Sequence, residues 1–145
     1  PKGADKKKLM VFVEIDRCAT DAIMALTGCR PGKRTMKVLD YGKMAATFVH
    51  LDSKKAVRVA LKRKNGKDED GAGAPDFANA GDEDLFSITD VDVALRPEDM
   101  PGKPLRRCRC ARCGENIMDA REMEQEGETL CKPCFERKSY YHIKV

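Results

Sequence analysis

The sequence has 145 residues, of which 41% are hydrophobic and 36% are charged, a composition typical of soluble globular proteins. No apolar run approaches the ~20 residues that a membrane helix needs, and the first residues lack the apolar stretch of a signal peptide. Seven cysteines are an odd number, and five of them lie between Cys108 and Cys134. This usage predicts metal binding in a reducing cytoplasm and argues against a secreted disulfide scaffold.

The net charge of +4 is the balance of three unequal blocks. Residues 1–64 carry a net charge of +10, residues 65–100 carry −9, and the remainder carries +3. Charge blocks of this kind more often match one another or face solvent than bind a partner. The net charge by itself therefore does not indicate nucleic acid binding.

The first hundred residues predict an α+β domain with a mainly antiparallel sheet. We expect a helix from an N-cap at Asp16 to Thr27, closed by Gly28. Its apolar residues at helical spacing, which predict the buried face, are Ala19, Ala22, Ile23 and Leu26. The predicted strands are 9–15, 35–39, 45–51, 55–61 and 85–95, with a hairpin loop at 52–54.

Composition also predicts where the ordered parts end. Residues 65–84 shift to Gly, Asp, Glu, Ala and Asn, which is typical of a mobile acidic loop. Residues 96–103 contain two prolines and a glycine and predict a linker. We therefore expect a core domain over 1–100 and a small second domain over 104–145.

The second domain contains two cysteine pairs at metal-ligand spacing. Cys110 and Cys113 are separated from Cys131 and Cys134 by 17 residues, within which residues 125–128 predict a hairpin turn. A helix is expected to begin after the second pair, near Phe135. A knuckle, a hairpin and a second knuckle that opens a helix form the treble-clef arrangement of a zinc finger.

Four soft thiolates favour structural zinc, although the same ligands can hold iron. Cys108, two residues before the first knuckle, is predicted to be a bystander. The knuckle is surrounded by arginines that could form a phosphate or nucleic-acid surface, and these are Arg106, Arg107, Arg109 and Arg112. We favour the simpler interpretation, a solvated basic rim that offsets the thiolate charge.

The first domain resembles a known family. The distinctive segments begin at Cys18-Ala19-Thr20-Asp21, continue through Leu26-Thr27-Gly28-Cys29 and Gly32-Lys33, and end at Asp40-Tyr41-Gly42-Lys43. They resemble the family of the E-type subunit of formylmethanofuran dehydrogenase, many members of which carry a C-terminal treble-clef finger. The resemblance implies an α+β core, a homodimer, a link to methanogenesis and a molybdenum or tungsten enzyme as partner.

Family members also begin with a helical segment that carries a His-x-Cys-Pro-Gly motif, which is absent from residues 1–145. We therefore expect the natural chain to begin before residue 1. In the family this motif would lie near the cysteine that matches Cys18 and form a metal or thiol site with it. The resemblance thus implies a second metal ion or a ligand in the core near Cys18.

The residues themselves support a core cleft. Cys18 lies in the first turn of the predicted helix, where the helix dipole favours a thiolate, and Asp21 lies one turn along. Lys33 and Lys43 follow glycines in turns that could present an ammonium group to an anionic ligand. The alternatives are that Cys18 and Cys29 are small buried apolar residues and that both lysines are merely solvated.

Three functions remain open from the sequence. The leading hypothesis is a zinc-binding accessory protein with a metal or ligand site near Cys18. The second is an enzyme that uses Cys18, Asp21 and Lys43 on a one-carbon or pterin-like substrate. The third is a nucleic-acid-binding regulator that uses the arginine-rich knuckle.

Overall fold

The computed structural model describes residues 8–62, 79–142 and 144, and it divides the chain into two compact units, Pro1–Leu95 and Arg96–Val145. The fold is the expected α+β class, with few helices and mostly antiparallel strand pairs. Within the described ranges, no helix has both the length and the hydropathy required to cross a lipid bilayer.

The first unit is a five-stranded sheet in the order β2-β1-β3-β4-β5. Its elements are β1 (Leu9–Val13), α1 (Cys18–Thr27), β2 (Met36–Val38), β3 (Ala45–His50), β4 (Ala56–Leu61), α2 (Asp82–Leu85) and β5 (Phe86–Val91). The pair β1 and β2 is parallel, because α1 carries the chain back between them, whereas the other neighbouring pairs are antiparallel.

One buried cluster of this unit lies between α1 and one face of β1, β2 and β3. Val11 and Val13 point to that face and are buried with Cys29, Met36 and Ala46. Helix α1 ends where Gly28 adopts φ 72° and its N–H donates to the Met24 carbonyl oxygen at 2.9 Å, as predicted. The apolar strands and the glycine cap thus form as the local pattern predicts.

The predicted buried face of α1 is wrong by part of a turn. Ile23 packs on the core as expected, but Met24 packs there too, and the buried residue of the helix is Thr27. Ala22 is exposed, and Leu26 is 74% exposed. The apolar stripe of the helix is wider than its contact with the sheet, so sequence periodicity alone did not identify the edge that packs.

Three boundaries of helices, loops or strands also differ from the prediction. The N-cap position is held by Arg17 and not by Asp16, without a side-chain capping hydrogen bond. Most of the predicted acidic loop lies outside the described residues, but its last part is helical, in α2. The predicted strand 85–95 ends at Val91, where its pairing with β4 ends.

The second unit consists of two hairpins and a short helix. Its elements are β6 (Arg107–Arg109), β7 (Asn116–Met118), β8 (Met123–Gln125), β9 (Glu128–Leu130) and α3 (Lys132–Glu136). The hairpin turn expected at 125–128 is confirmed, with Glu126 and Gly127 at φ 53° and 82°. Helix α3 begins three residues before the predicted start at Phe135, because Pro133 fits the first turn of a helix.

Candidate metal centre

Four cysteines from two separate loops converge in the second unit. Cys110 and Cys113 lie in the turn between β6 and β7, while Cys131 and Cys134 lie at the start of α3. Their four Sγ atoms are all within 4.8 Å of one another. In the part of the chain that the structure describes, this is the one group of three or more His, Cys, Asp or Glu side chains able to share a metal ion.

The separations between the sulfurs fit a zinc ion. A tetrahedral site with Zn–S bonds of about 2.3 Å places its sulfurs about 3.8 Å apart. The Sγ atoms of Cys113 and Cys131, which come from different loops, are 3.8 Å apart. Because all four donors are protein thiols, a bound zinc would have a filled coordination shell and a structural role.

Backbone hydrogen bonds hold the two loops in place. In the first loop, the N–H of Gly114 donates to the Cys110 carbonyl oxygen at 3.0 Å, and Gly114 adopts φ 74°. The N–H of Ala111 donates to the Thr129 carbonyl oxygen at 2.9 Å, which joins this loop to β9. In the second loop, the N–H of Phe135 donates to the Cys131 carbonyl oxygen at 2.9 Å and forms the first turn of α3.

The apolar core of this unit is very small. Only Cys110, Ile117 and Leu130 form its buried cluster among the described residues. Cys108 lies opposite Ile117 on β6 and packs against this cluster without joining the four-sulfur group. So small a core is typical of domains that a structural metal stabilises.

The arrangement of the cysteines shifts the pKa values of two of their thiols in opposite directions. Backbone N–H groups of Cys113 and Cys131 point at the Cys110 sulfur and lower its pKa to about 6. The neighbouring Cys131 thiol, together with burial, raises the pKa of Cys134 to about 12. Four thiolates therefore do not coexist at neutral pH without a cation, whereas a divalent metal ion would neutralise their mutual repulsion.

Three of the four arginines near the first knuckle bind within this unit. The guanidinium of Arg109 donates to the Gly114 carbonyl oxygen at 2.5 Å, and that of Arg112 donates to the Cys134 carbonyl oxygen. Arg106 forms an ion pair with the buried Glu122 carboxylate. All four arginines remain exposed, as in the solvated rim favoured from the sequence, but three of them also hold parts of the finger together.

The structure sets Lys33 apart from the other residues of the predicted core cleft. Cys18 is the first residue of α1, and both Cys18 and Asp21 are exposed. Lys43 lies in the loop after β2, at the carboxyl ends of the parallel strands β1 and β2, as Cys18 does. Lys33 precedes β2 and lies at the opposite end of α1, so the structure does not bring it together with Cys18. Cys29 is buried in the core, where its Sγ contacts the Leu9 carbonyl oxygen at 3.4 Å.

An ion pair beside this region was not predicted. Glu14, which directly follows β1, is 6% exposed, and its carboxylate accepts two hydrogen bonds from the Arg58 guanidinium, at 2.7 and 2.8 Å. The bidentate contact with Arg58 lowers the pKa of Glu14 despite its burial. An isolated acidic residue at the end of an apolar strand was the available sequence signal, but its partner lies 44 residues away.

The backbone of Glu14 also organises the adjacent loop. Its carbonyl oxygen accepts hydrogen bonds from the N–H groups of Tyr41 and Lys43, both at 3.2 Å. The ammonium group of Lys43 lies 5.9 Å from the centroid of the Tyr41 ring, within range of a cation–π contact. The loop that carries Lys43 is thus tied to the segment that leads into Cys18.

Comparison with known proteins agrees with this architecture. A curated relative from Archaeoglobus fulgidus, named a probable S-adenosyl-L-methionine-binding protein, is 26% identical over 93% of this chain. The chain spans only 42% of the length of that relative. A solved structure from Syntrophus aciditrophicus, of a tungsten formylmethanofuran dehydrogenase FmdE-like protein, matches with a TM-score of 0.53. The two share 21% identity over 92% of this chain and 74% of the other, which supports a common fold.

Two family models match the two parts of the chain. Residues 103–140 match the prokaryotic DksA/TraR C4-type zinc finger, which agrees with the four-sulfur group. Residues 1–84 match the family described as FmdE, of the molybdenum formylmethanofuran dehydrogenase operon. The protein therefore belongs to the FmdE family and carries a C-terminal four-cysteine zinc finger.

Proposed function

We propose that this protein is a zinc-binding, subunit-like member of the FmdE family whose core binds a small ligand near Cys18. The observation that carries the zinc part is the convergence of four thiols within 4.8 Å in a unit with little apolar core. Zinc there stabilises the finger and takes no part in chemistry, since no coordination position is left for a substrate.

The ligand part of the proposal rests on topology. Ligands of open sheets with parallel strands commonly bind at the carboxyl ends of those strands. At this end of β1 and β2, Cys18 opens a helix of ten residues and Lys43 lies in the neighbouring loop. The N-terminal dipole of α1 and the ammonium group both favour an anionic group on the ligand.

A metal ion at this position would need donors other than those of the described residues. No group of three His, Cys, Asp or Glu donors that includes Cys18 occurs within residues 8–62, 79–142 and 144. We therefore infer that a metal binds at Cys18 only together with an external ligand. The printed name of the Archaeoglobus relative makes S-adenosyl-L-methionine, which carries a carboxylate, the first small molecule to test.

The test compares metal content and ligand binding in the full chain and three variants. We expect about one zinc per chain in the wild type and in Cys18→Ser. Isothermal titration with S-adenosyl-L-methionine should show binding that weakens in Lys43→Met but not in Lys33→Met. The second lysine serves as the matched control because it lies at the other end of α1.

The structural zinc and the ligand site near Cys18 can be refuted independently of each other. A wild-type chain without stoichiometric zinc would refute the structural finger. A second metal that disappears in Cys18→Ser would replace the small-ligand site with a metal centre. If Lys43→Met and Lys33→Met weakened the binding of S-adenosyl-L-methionine equally, the ligand site would not lie where the proposal places it.

A further inference from the structure

An apolar groove lies beside one edge of the sheet, within the part of the first unit that the structure describes. Strand β5 is one of the two edge strands of this described sheet, and Ile88 in its middle is 63% exposed. The groove, with a volume of about 360 Å³, lies between α1 and the neighbouring strands. Its walls include Ala22 and Leu26 from α1 and Leu61 and Phe86 from β4 and β5.

The hydrogen-bond pattern shows which backbone groups of β5 face outward. The N–H of Lys62 donates to the Leu85 carbonyl oxygen at 2.7 Å, and this bond sets the alternation of the β4–β5 ladder. The residues whose backbone groups face β4 are therefore Leu85, Ser87, Thr89 and Val91. The N–H and C=O groups of Ile88 and Asp90 point away from the sheet, as expected of an edge that can accept another strand.

The side chains of these residues determine which kinds of side chain a strand added next to β5 would need. Phe86, Ile88 and Asp90 lie opposite Leu61, Val59 and Val57, on the face of the sheet that carries the groove. Asp92 follows β5, and both of these aspartates are exposed. At the other end of β5, α2 adds three further exposed acidic residues, Asp82, Glu83 and Asp84.

We propose that the β5 edge binds an extended segment of a partner protein in which apolar residues alternate and basic residues flank them. The segment adds a strand next to β5, with apolar side chains opposite Phe86 and Ile88. Its basic side chains lie opposite Asp90 and Asp92. The charge of the edge argues against a second copy of β5 as the occupant, because antiparallel self-pairing would place acidic ends near acidic ends.

A designed peptide tests this directly. An acetylated eight-residue peptide with Lys at positions 1, 3 and 8, Val at positions 5 and 7, and Thr elsewhere would pair antiparallel with β5. A matched peptide carries Glu in place of each Lys. We expect the lysine peptide to shift the amide signals of Ile88 and Asp90 in NMR spectra of the full zinc-bound chain and to slow their hydrogen exchange.

Charge reversal supplies the internal control. In the double variant Asp90→Lys and Asp92→Lys, the affinity for the lysine peptide should fall roughly tenfold while that for the glutamate peptide rises. Asp16→Lys with Asp40→Lys changes the charge equally at exposed positions away from the edge and should leave both affinities unchanged. Exposed charge changes of this kind are expected to leave the core folded.

Three results would overturn the proposal. The first is slow exchange of the Ile88 and Asp90 amides without peptide, which would mean that this chain or a second copy already covers the edge. The second is equal binding of the two peptides, since charge then plays no part. The third is the absence of any shift at β5 with millimolar lysine peptide.

Discussion

Replacing one sulfur of the metal centre tests the reasoning about the finger most directly. Cys110 is 2% exposed, belongs to the four-sulfur group, and accepts a hydrogen bond from the Cys131 N–H at 3.3 Å. Cys110→Ser removes one of four zinc ligands and weakens this contact between the two loops. Cys108→Ser is the matched control, because Cys108 lies two residues away on β6 but outside the group.

The size of the effect follows from the number of ligands. Structural zinc binds comparable peptides with an apparent free energy of about 10–16 kcal/mol. If each of four thiolates contributes a similar share, losing one costs about 3 kcal/mol, which is roughly a hundredfold in zinc affinity. Cys108→Ser changes only a partly buried side chain and should alter the stability of the finger by about 1 kcal/mol or less.

The assay is competition for zinc between the full chain and a chelator of known affinity. Two-dimensional NMR of the finger amides follows folding in parallel. Wild type and Cys108→Ser should retain about one zinc per chain at chelator concentrations that strip Cys110→Ser. Equal loss of affinity in both variants would refute the assigned ligand set and would mean that Cys108 takes part in coordination.

Three further predictions concern the first unit, each measured by urea unfolding. Arg58→Met should destabilise it by about 2 kcal/mol at neutral pH, because the buried Glu14 carboxylate loses a bidentate partner. In the wild type, this pair should contribute its full share of the unfolding free energy above pH ~4.5, and the contribution should be lost as the pH falls through the lowered pKa of Glu14. If the unfolding free energies of the wild type and Arg58→Met differed by the same amount at every pH, this prediction would be wrong. Gly28→Ala should lower the unfolding free energy by about 1 kcal/mol, because residue 28 has φ 72°. Gly32→Ala is the control and should lower it by less, because residue 32 has open space around it and no positive φ. Equal losses in the two variants would exclude backbone strain as the cause.

The finger was the part most open to prediction from sequence. Its spacing signal is local: each pair of cysteines is separated by two residues, and a tight turn brings both thiols to one side. The hairpin turn at Glu126 and Gly127 and the glycine cap at Gly28 are local for the same reason. In each case the conformation depends on neighbours within a few residues, so one stretch of sequence carries the information.

Other features were settled only by the tertiary structure. The pair of Glu14 and Arg58 joins residues 44 positions apart, and no local pattern indicates which basic side chain meets that carboxylate. Lys33 and Lys43 have similar sequence surroundings, but the parallel pairing of β2 with β1 places them at opposite ends of α1. Leu26 belongs to the apolar stripe of α1 yet lies in an open groove, because the sheet contacts only part of that stripe.

The α+β class, the family and the zinc finger were thus predictable from the sequence, because they rest on local spacing and short motifs. Only the tertiary structure shows that Cys18 and Lys43 lie at the same end of α1 while Lys33 lies at the other, and that β5 is an edge strand of the described sheet. Those outcomes depend on strand order and helix orientation, which follow from packing over the whole unit rather than from the preferences of any one segment.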